Sequence, residues 1–389
     1  MTRSAVVYTD KCNSETAGLL LGKQITDSLN GSTPDVVVVF ASSQYEYTPL
    51  LKALKKACNP KMLIGCSSAG EFISGKQGEG AASALALSSD EMQFNISIGR
   101  NLNGRINEVA GELAQTFKGL NLFSNYPYKT GLILIDALAG HTDAFIEKLN
   151  YATAGTYQFF GGGAGDDANF SKTHVFYDEK AYTNSVVALE ILSYKPLGIG
   201  VGHGWEPVGS PMRVTESNGT QLISLNSIPV LEMFRLHADE TKQVFNVRDP
   251  VPFFLHNVIG IKTVNGYYLR VPLAIQADGS IVCASDIPLH ATVAFMKATV
   301  QSASEAAKSA TLEAVRQMNG QKASVALVFD CVATRLRTGR EFVNELNSVQ
   351  NELNSAPYAG CNTYGQITRI DGQFSGFHNC TAVVCVIPA

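Results

Sequence analysis

Long apolar runs are missing from this 389-residue sequence. None approaches the ~18 residues that a helix needs to cross a bilayer, so no membrane insertion is expected. Charge is sparse too. Only 16% of residues are charged and the formal net charge is −4, which leaves no basic footprint for nucleic acid or anionic lipid. Lys52, Lys55 and Lys56 fall on the polar face of a short amphipathic helix and read as solvated. The start, MTRSAVVYTD, lacks the apolar core of a secretory signal and runs directly into a strand-like segment. The eight cysteines form no C-x-x-C pair and mostly sit in apolar strands. That usage excludes a zinc ribbon or disulfide framework and suits buried thiols in a reducing cytoplasm.

Catalytic signatures are equally scarce. The GGGAG at 161–165 is not a G-x-G-x-x-G opening a helix, and no G-x-x-x-x-G-K-[ST] occurs. No G-x-S-x-G nucleophile elbow is present, because Gly65 and Gly70 enclose four residues. The seven histidines include no H-E-x-x-H, which removes that class of zinc hydrolase. On these grounds the chain reads as a binder and not as a catalyst.

What is present is a unit written three times, each copy running strand, helix, strand and a small-residue loop. Copy one has VVVVF at 36–40 and MLIGCSSAGE ending at Glu71. Copy two has LILID at 132–136 and FFGGGAGD ending at Asp166. Copy three has VALVFD at 325–330 and YAGCNTYGQ ending at Gln366. Strand start to first loop glycine takes 29 residues in copies one and two (36 to 65, 132 to 161) and 35 in copy three (325 to 360), so the third connection is longer.

Each opening strand is apolar throughout, which predicts a central strand covered on both faces. Helices are predicted over 49–58, after Thr142 or Asp143 as the cap, and through Phe342, Leu346, Val349 and Leu353, with another near 104–117. Hairpins are predicted from 81–87 with 93–99 and from 173–177 with 185–192. A strand over 373–377 leads into a last one over 381–387. Between copies two and three, GIGVGHGW at 198–205 precedes a hairpin turning at Asn218-Gly219, a helix over 229–237, three strands within 257–298 and an Ala-rich helix over 302–318. The fold class is therefore α/β: two modules of mixed β-sheet with packed helices, built from the repeated unit. The polar ADETKQ segment from Ala238 marks the domain seam, giving modules at 1–230 and 231–389.

The three loops leave central strands, where ligands bind in open α/β sheets. Cys66, Ser67, Ser68, Glu71, Gly163, Asp166, Asn362, Thr363, Tyr364 and Gln366 are the candidate ligand-binding residues. Their hydroxyls, amides and carboxylates suit a polar small molecule. Gln366 stands where copy one has an acid, which weakens any joint action of loop carboxylates. Cys66 and Cys361 occupy matching positions, as paired nucleophiles or as small buried fillers. For a haem, one imidazole in an apolar pocket suffices. His203, beside Trp205, His290, ahead of an apolar strand, and His378, beside Phe377, are the candidates among which the residues do not choose.

With these motifs in hand, the chain resembles the FIST family of prokaryotic sensory proteins. VVVVF…IGCSSAGE, LILID…FFGGGAGDD and GHGWEPVG carry the likeness to its N-terminal module. IPVLEMF, LRVPLAI…GSIVCASDIP and YAGCNTYGQI…FHNCTAVVCVI carry that to its C-terminal module. The resemblance implies a ligand-sensing input domain coupled to histidine kinases, chemoreceptors or cyclic-di-GMP enzymes, with small ligands such as amino acids. In the free-standing NosP type it implies haem held by a histidine, nitric-oxide detection and modulation of a partner histidine kinase. No kinase, GGDEF or methyl-accepting segment is visible, so output is expected on a separate chain. The function expected is a cytoplasmic sensor of this kind. A haem-free binder of an amino acid or similar metabolite is the alternative, and a cysteine- or serine-dependent hydrolase a third reading. Signalling would shift the modules about their seam, and a ~10-fold coupling needs about 1.4 kcal/mol of preference for one arrangement.

Overall fold

A computed structural model describes residues 2–121, 124–264, 266–369 and 376–389. Within it, the threefold unit is larger than its motifs suggest. Copy one runs β1 (Thr2–Thr9), α1 (Ser14–Ser28), β2 (Val36–Ser42), α2 (Tyr47–Cys58), β3 (Met62–Ser68), the hairpin β4 (Glu71–Ile73) and β5 (Lys76–Gly78), then β6 (Ala82–Ser89). Copy two repeats this order as β7 (Met92–Arg100), α3 (Ile106–Gln115), β8 (Tyr128–Ile135), α4 (Thr142–Ala152), β9 (Gln158–Gly163), β10 (Val175–Tyr177), β11 (Lys180–Tyr182) and β12 (Ser185–Ser193).

Copy three opens with β13 (Gly198–Gly202) and is then interrupted by an insert. The insert holds β14 (Glu206–Asn218), β15 (Gln221–Leu225), β16 (Ile228–Pro229), α5 (Val230–Thr241), α6 (Val251–Phe254), β17 (Val258–Thr263), β18 (Gly266–Arg270), β19 (Pro272–Ile275), β20 (Ile281–Cys283) and β21 (Thr292–Lys297). Copy three resumes with α7 (Val300–Gln317), β22 (Ala323–Cys331), α8 (Val332–Thr338), α9 (Phe342–Glu352), β23 (Tyr358–Thr363), β24 (Gln366–Thr368), β25 (Gly376–His378) and β26 (Ala382–Pro388). The extra helix α8 accounts for the longer third connection.

Each copy builds the same four-strand order: β1-β6-β2-β3, β7-β12-β8-β9 and β13-β26-β22-β23. Each opening strand lies central and pairs in parallel with the strand that follows its helix. The sheet is then completed by a hairpin from another copy. Copy one gives β4–β5 to copy three, copy two gives β10–β11 to copy one, and copy three gives β24–β25 to copy two. This exchange closes the three sheets into a ring. It also carries strands across the 230/231 boundary, since β4 pairs with β23 and β9 with β24.

The all-apolar opening strands have two faces to bury. Val36, Val38 and Phe40 join Leu132, Leu134, Leu327 and Phe329 in a core shared by the three sheets. Val37, Val39 and Ala41 face α1 and α2 instead. The other outer faces are covered by α3 with α4 and by α7 with α9. The first loop glycine of every copy has the same cause. A Cβ on Gly65, Gly161 or Gly360 would stand 1.9, 2.0 or 2.2 Å from a carbonyl oxygen of the neighbouring opening strand. The glycines of β13 likewise let that strand lie on α7, where a Cβ on Gly198 or Gly200 would come within 1.7 Å of a helix carbonyl.

Several expectations are corrected. Strands β6 and β7 do not pair, nor do β10 and β12. β6 joins β1 and β2, whereas β7 and β12 pair with each other in the next sheet. The insert has five strands within 257–298, not three, and folds around its own core. The cap of α4 is His141 with no side-chain hydrogen bond. Asp143 instead accepts from Arg270 and from the Phe377 amide, tying ring to insert. Of the strand expected over 373–377, residues 373–375 lie outside the described residues.

Candidate functional site

Because β2/β3, β8/β9 and β22/β23 are parallel pairs, each unit ends its central strands at the same end of the ring, and there the three glycine-rich segments meet. Ala69 N donates to Asn362 O and Asn362 N to Gly70 O. Gly165 N donates to Ser67 O, and Tyr364 N to Gly163 O. Gly165 is required by this contact, since its Cβ would lie 2.9 Å from Ala69 N. The expected loops are in fact strand ends joined by two-residue turns in copies one and three. Cys66, Ser67, Ser68, Thr363 and Gln366 are fully buried and bond to protein: Ser67 Oγ to the His174 backbone and Gln366 Nε2 to Thr363 Oγ1. Cys66 and Cys361 lie in the shared core. Burial, the neighbouring Cys66 thiol and Glu71 push the Cys361 thiol far up.

The two terminal acids fare differently. Glu71 accepts from Ser68 Oγ at 2.5 Å and Ala81 N at 3.1 Å, and burial pushes its carboxyl up to about 8. Asp166 is also desolvated. It nonetheless falls below the usual carboxylate range, because the Tyr364 hydroxyl and the amides of Lys172, Ser171 and Phe170 all donate to it.

Two cavities of about 430 Å³ each flank α8. One lies between the ring and the insert, with Ala137, Tyr364, Val332 and Ala333 on one side and Phe254, Val271 and Ala284 on the other. It is overwhelmingly apolar, and its polar side chains are Cys331, Asn379 and Tyr364. Five exposed large apolar side chains also line it: Leu138, Phe170, Val251, Leu273 and Leu336. The second cavity is more polar than the first, with Glu71, Glu79, Arg335, Arg340 and Asn362 in its wall beside Phe72, Leu336 and Phe342. Glu79 pairs with Arg335, while Arg335 Nε and Asn362 Nδ2 are buried without partners among the described residues. Thus Tyr364 reaches the first cavity and Glu71 and Asn362 the second, while the other expected ligand-binding residues are buried and line neither.

Of the three alternative haem ligands, His203 and His378 lie near each other and His290 lies apart. His203 has both ring nitrogens engaged, Nε2 with Tyr267 O at 3.0 Å and Nδ1 with Trp205 N at 3.3 Å. His290 is exposed in the insert. His378 has an unpartnered Nε2, and burial followed by the nearby Arg270 and His203 holds its imidazole down at about 3. Its neighbours Phe377 and Asn379 line the apolar cavity, so strand alternation turns His378 the other way, against Tyr268. None presents a free nitrogen to the cavity, and histidine-held haem does not fit there. No group of three or more metal-ligating side chains occurs among the described residues, and no helix there is long and apolar enough to cross a membrane.

A residue that the loop motifs did not single out is Cys331, at the end of β22 and in the wall of the apolar cavity. The adjacent Cys380 thiol brings it down to about 7 against the push of burial, helped by the amides of Cys380 and Ala333 and by Gln366. Its signal was available as a cysteine closing the third opening strand, where copies one and two have Ser42 and Asp136.

Comparison with known proteins gives two matches that together span most of the chain. The FIST N domain matches residues 35–228 and the FIST C domain residues 238–369. The uncharacterized protein Rv0628c of Mycobacterium tuberculosis is 22% identical over 367 residues, covering 92% of each chain. The uncharacterized protein MJ1623 of Methanocaldococcus jannaschii is 22% identical over 302 residues, covering 73% of this chain and 58% of its own. Among solved structures, a chorismatase aligns over 100% of this chain and 99% of its own, with 9% identity and a TM-score of 0.36.

Proposed function

Starting from the chain's membership of the FIST family, whose domains serve in sensing and signal transduction, we propose that it senses a small, largely apolar ligand in the cavity between ring and insert. The observation that carries this is the cavity with its exposed apolar rim. A contiguous exposed apolar patch marks a binding surface, and most small-molecule sites are concave and mainly apolar with few polar groups. A ligand seated there touches both the ring and the insert. It favours the arrangement in which they close, and about 1.4 kcal/mol of preference gives tenfold coupling. The output is carried by a separate partner, a histidine kinase in the pattern that the family resemblance implies. The ligand is not tied to haem or nitric oxide, because no histidine faces the cavity. A Soret band gained on haemin reconstitution and lost in His378→Ala would reinstate that reading.

The test uses N-phenyl-1-naphthylamine, an uncharged apolar fluorophore. Saturable one-to-one binding is expected, and Ala284→Phe, or Leu273→Trp at the rim, abolishes it. Binding that is absent, or indifferent to both substitutions, overturns the proposal. A second reading, a polar metabolite such as an amino acid, is favoured by the unpartnered Arg335 Nε and Asn362 Nδ2 of the more polar cavity. Calorimetric titration with amino acids, repeated on Arg335→Ala, separates the two.

A further inference from the structure

We propose that Cys331 is a nucleophile that captures an electrophilic ligand in the apolar cavity, forming a thioether with the β-carbon of an α,β-unsaturated carbonyl compound. This rests on reading that cavity as the ligand site and names the class of ligand it takes.

Three observations converge. The first is position: Cys331 belongs to the cavity wall at the point where β22 gives way to α8. The second is activation. A buried thiol in apolar surroundings is ordinarily inert, and the chain shows this repeatedly. Burial pushes Cys58 up to about 11 and Cys283 up to about 12, and raises Cys385 as well. Cys331 alone among the buried thiols for which a shift is resolved moves down, held by the neighbouring thiol, two backbone amides and a carboxamide. A thiol titrating near ambient pH combines thiolate population with nucleophilicity. The third is Asn379. It is 2% exposed and lines the same cavity, yet its side-chain oxygen has no hydrogen-bond partner among the described residues. A buried carboxamide oxygen left without a donor is costly unless something else completes it. A hydroxyl or N–H group on the ligand, donating to that Oδ1, would do so. Tyr364, the other polar side chain on this wall, is already committed through its hydroxyl to Asp166.

The chemistry balances without an oxidant. The sulfur lone pair of the thiolate forms the C–S bond at the β-carbon. The alkene π pair moves onto the α-carbon and carbonyl oxygen as an enolate, which takes one proton from water. The product is a saturated ketone or aldehyde fixed to the wall shared by α8 and the ring. Addition is stoichiometric, so the cavity acts as a covalent sensor and not as an enzyme.

The experiment treats the full chain with 2-cyclohexen-1-one and reads cysteine adducts by peptide mass spectrometry. One adduct on Cys331 is expected. It should form ahead of any adduct on the exposed Cys12. It is lost in Cys331→Ser, suppressed by Ala284→Phe and by prior saturation with N-phenyl-1-naphthylamine. Labelling of Cys12 alone overturns the inference. So does Cys331 labelling at the same rate in Ala284→Phe, since the cavity would then play no part. Should peroxide join Cys331 to Cys380 while the enone leaves Cys331 untouched, the pair is a redox couple and the inference also falls. Naphthylamine binding without an adduct defeats this inference but leaves the proposed function standing. Absence of naphthylamine binding defeats the proposed function itself.

Discussion

Glu71 and Asp166 close copies one and two of the same unit, and their carboxyls are driven in opposite directions. Glu71 has two donors and holds its proton up to about 8. Asp166 has donors from three successive amides, a serine and a tyrosine, and stays ionised below the ordinary range. Both side chains are nearly inaccessible, at 1% and 2% exposure. Desolvation is deeper at Glu71, where Asp167 adds a like charge, and Asp166 has the larger donor set. Desolvation, neighbouring charge and donors together set the outcome. Copy three replaces the acid by Gln366, which bonds Thr363 Oγ1 and Thr381 N. The repeat thus supplies position, and the local surroundings supply chemistry. The same division separates the two cavities, similar in volume, of which the one beside Glu71 is the more polar.

The largest effect should come from making copy one like copy three. Glu71→Gln keeps a donor for Ser68 and an acceptor for Ala81 but removes the ionisation. In the native protein the folded state binds the Glu71 proton up to about 8, while the unfolded chain releases it near 4.5. Stability therefore falls as pH rises through that window, by up to roughly 4 kcal/mol. Urea unfolding at pH 5 and pH 8 should show this loss in the native chain and not in Glu71→Gln. Equal pH slopes would mean that Glu71 is ionised in place. The converse exchange, Gln366→Glu, forces a carboxylate into a fully buried position beside Cys331 and should cost about 2 kcal/mol. It should also slow enone addition, because a neighbouring anion lifts the thiol.

Much of the ring was legible in the sequence, and the reason is local. Val36–Phe40 and its two counterparts are apolar on both faces, and the glycines that follow them mark close backbone contact, so strand, helix and strand could be read in order. The exchange of hairpins could not. Residues 71–78 are a short hairpin in any arrangement, and only the contact of Phe72 with Gly360 shows whose sheet they complete. The mispairing of 81–87 with 93–99 has the same origin, since adjacency along the chain suggests a hairpin where the chain passes between sheets. For the site, the loop motifs drew attention to Cys66 and Cys361, which the shared core makes inert. Cys331 depends on Cys380, 49 residues away, and on a cavity wall contributed by the insert, neither of which leaves a local pattern.

Asp166 offers a smaller test of the part that donors play. Tyr364→Phe deletes one O–H donor while its ring keeps the stacking on Phe170, at 4.4 Å between centroids. A loss of about 1.5 kcal/mol is expected at neutral pH. Because the folded pKa of Asp166 is depressed, that stabilisation exists above its usual titration near 3.8 and fades as pH falls through the folded value. The native and variant unfolding curves should therefore converge in acid. A constant difference down to low pH would assign the tyrosine's effect to packing.

Leu336 is the wall common to both cavities, 42% exposed and touching each from α8. Its truncation to alanine removes apolar surface from one cavity and nothing that Glu71 needs from the other. Binding of N-phenyl-1-naphthylamine should weaken about fivefold, as about 1 kcal/mol of lost apolar contact implies. Global stability should change less than this, because the side chain is already half in water. The informative quantity is the pH dependence assigned to Glu71. If Leu336→Ala leaves that slope intact, the cavities are independent, and only the apolar one reports on its ligand. If the slope moves with the fluorophore's affinity, α8 couples them, and the proton on Glu71 becomes a second input to the same sensor.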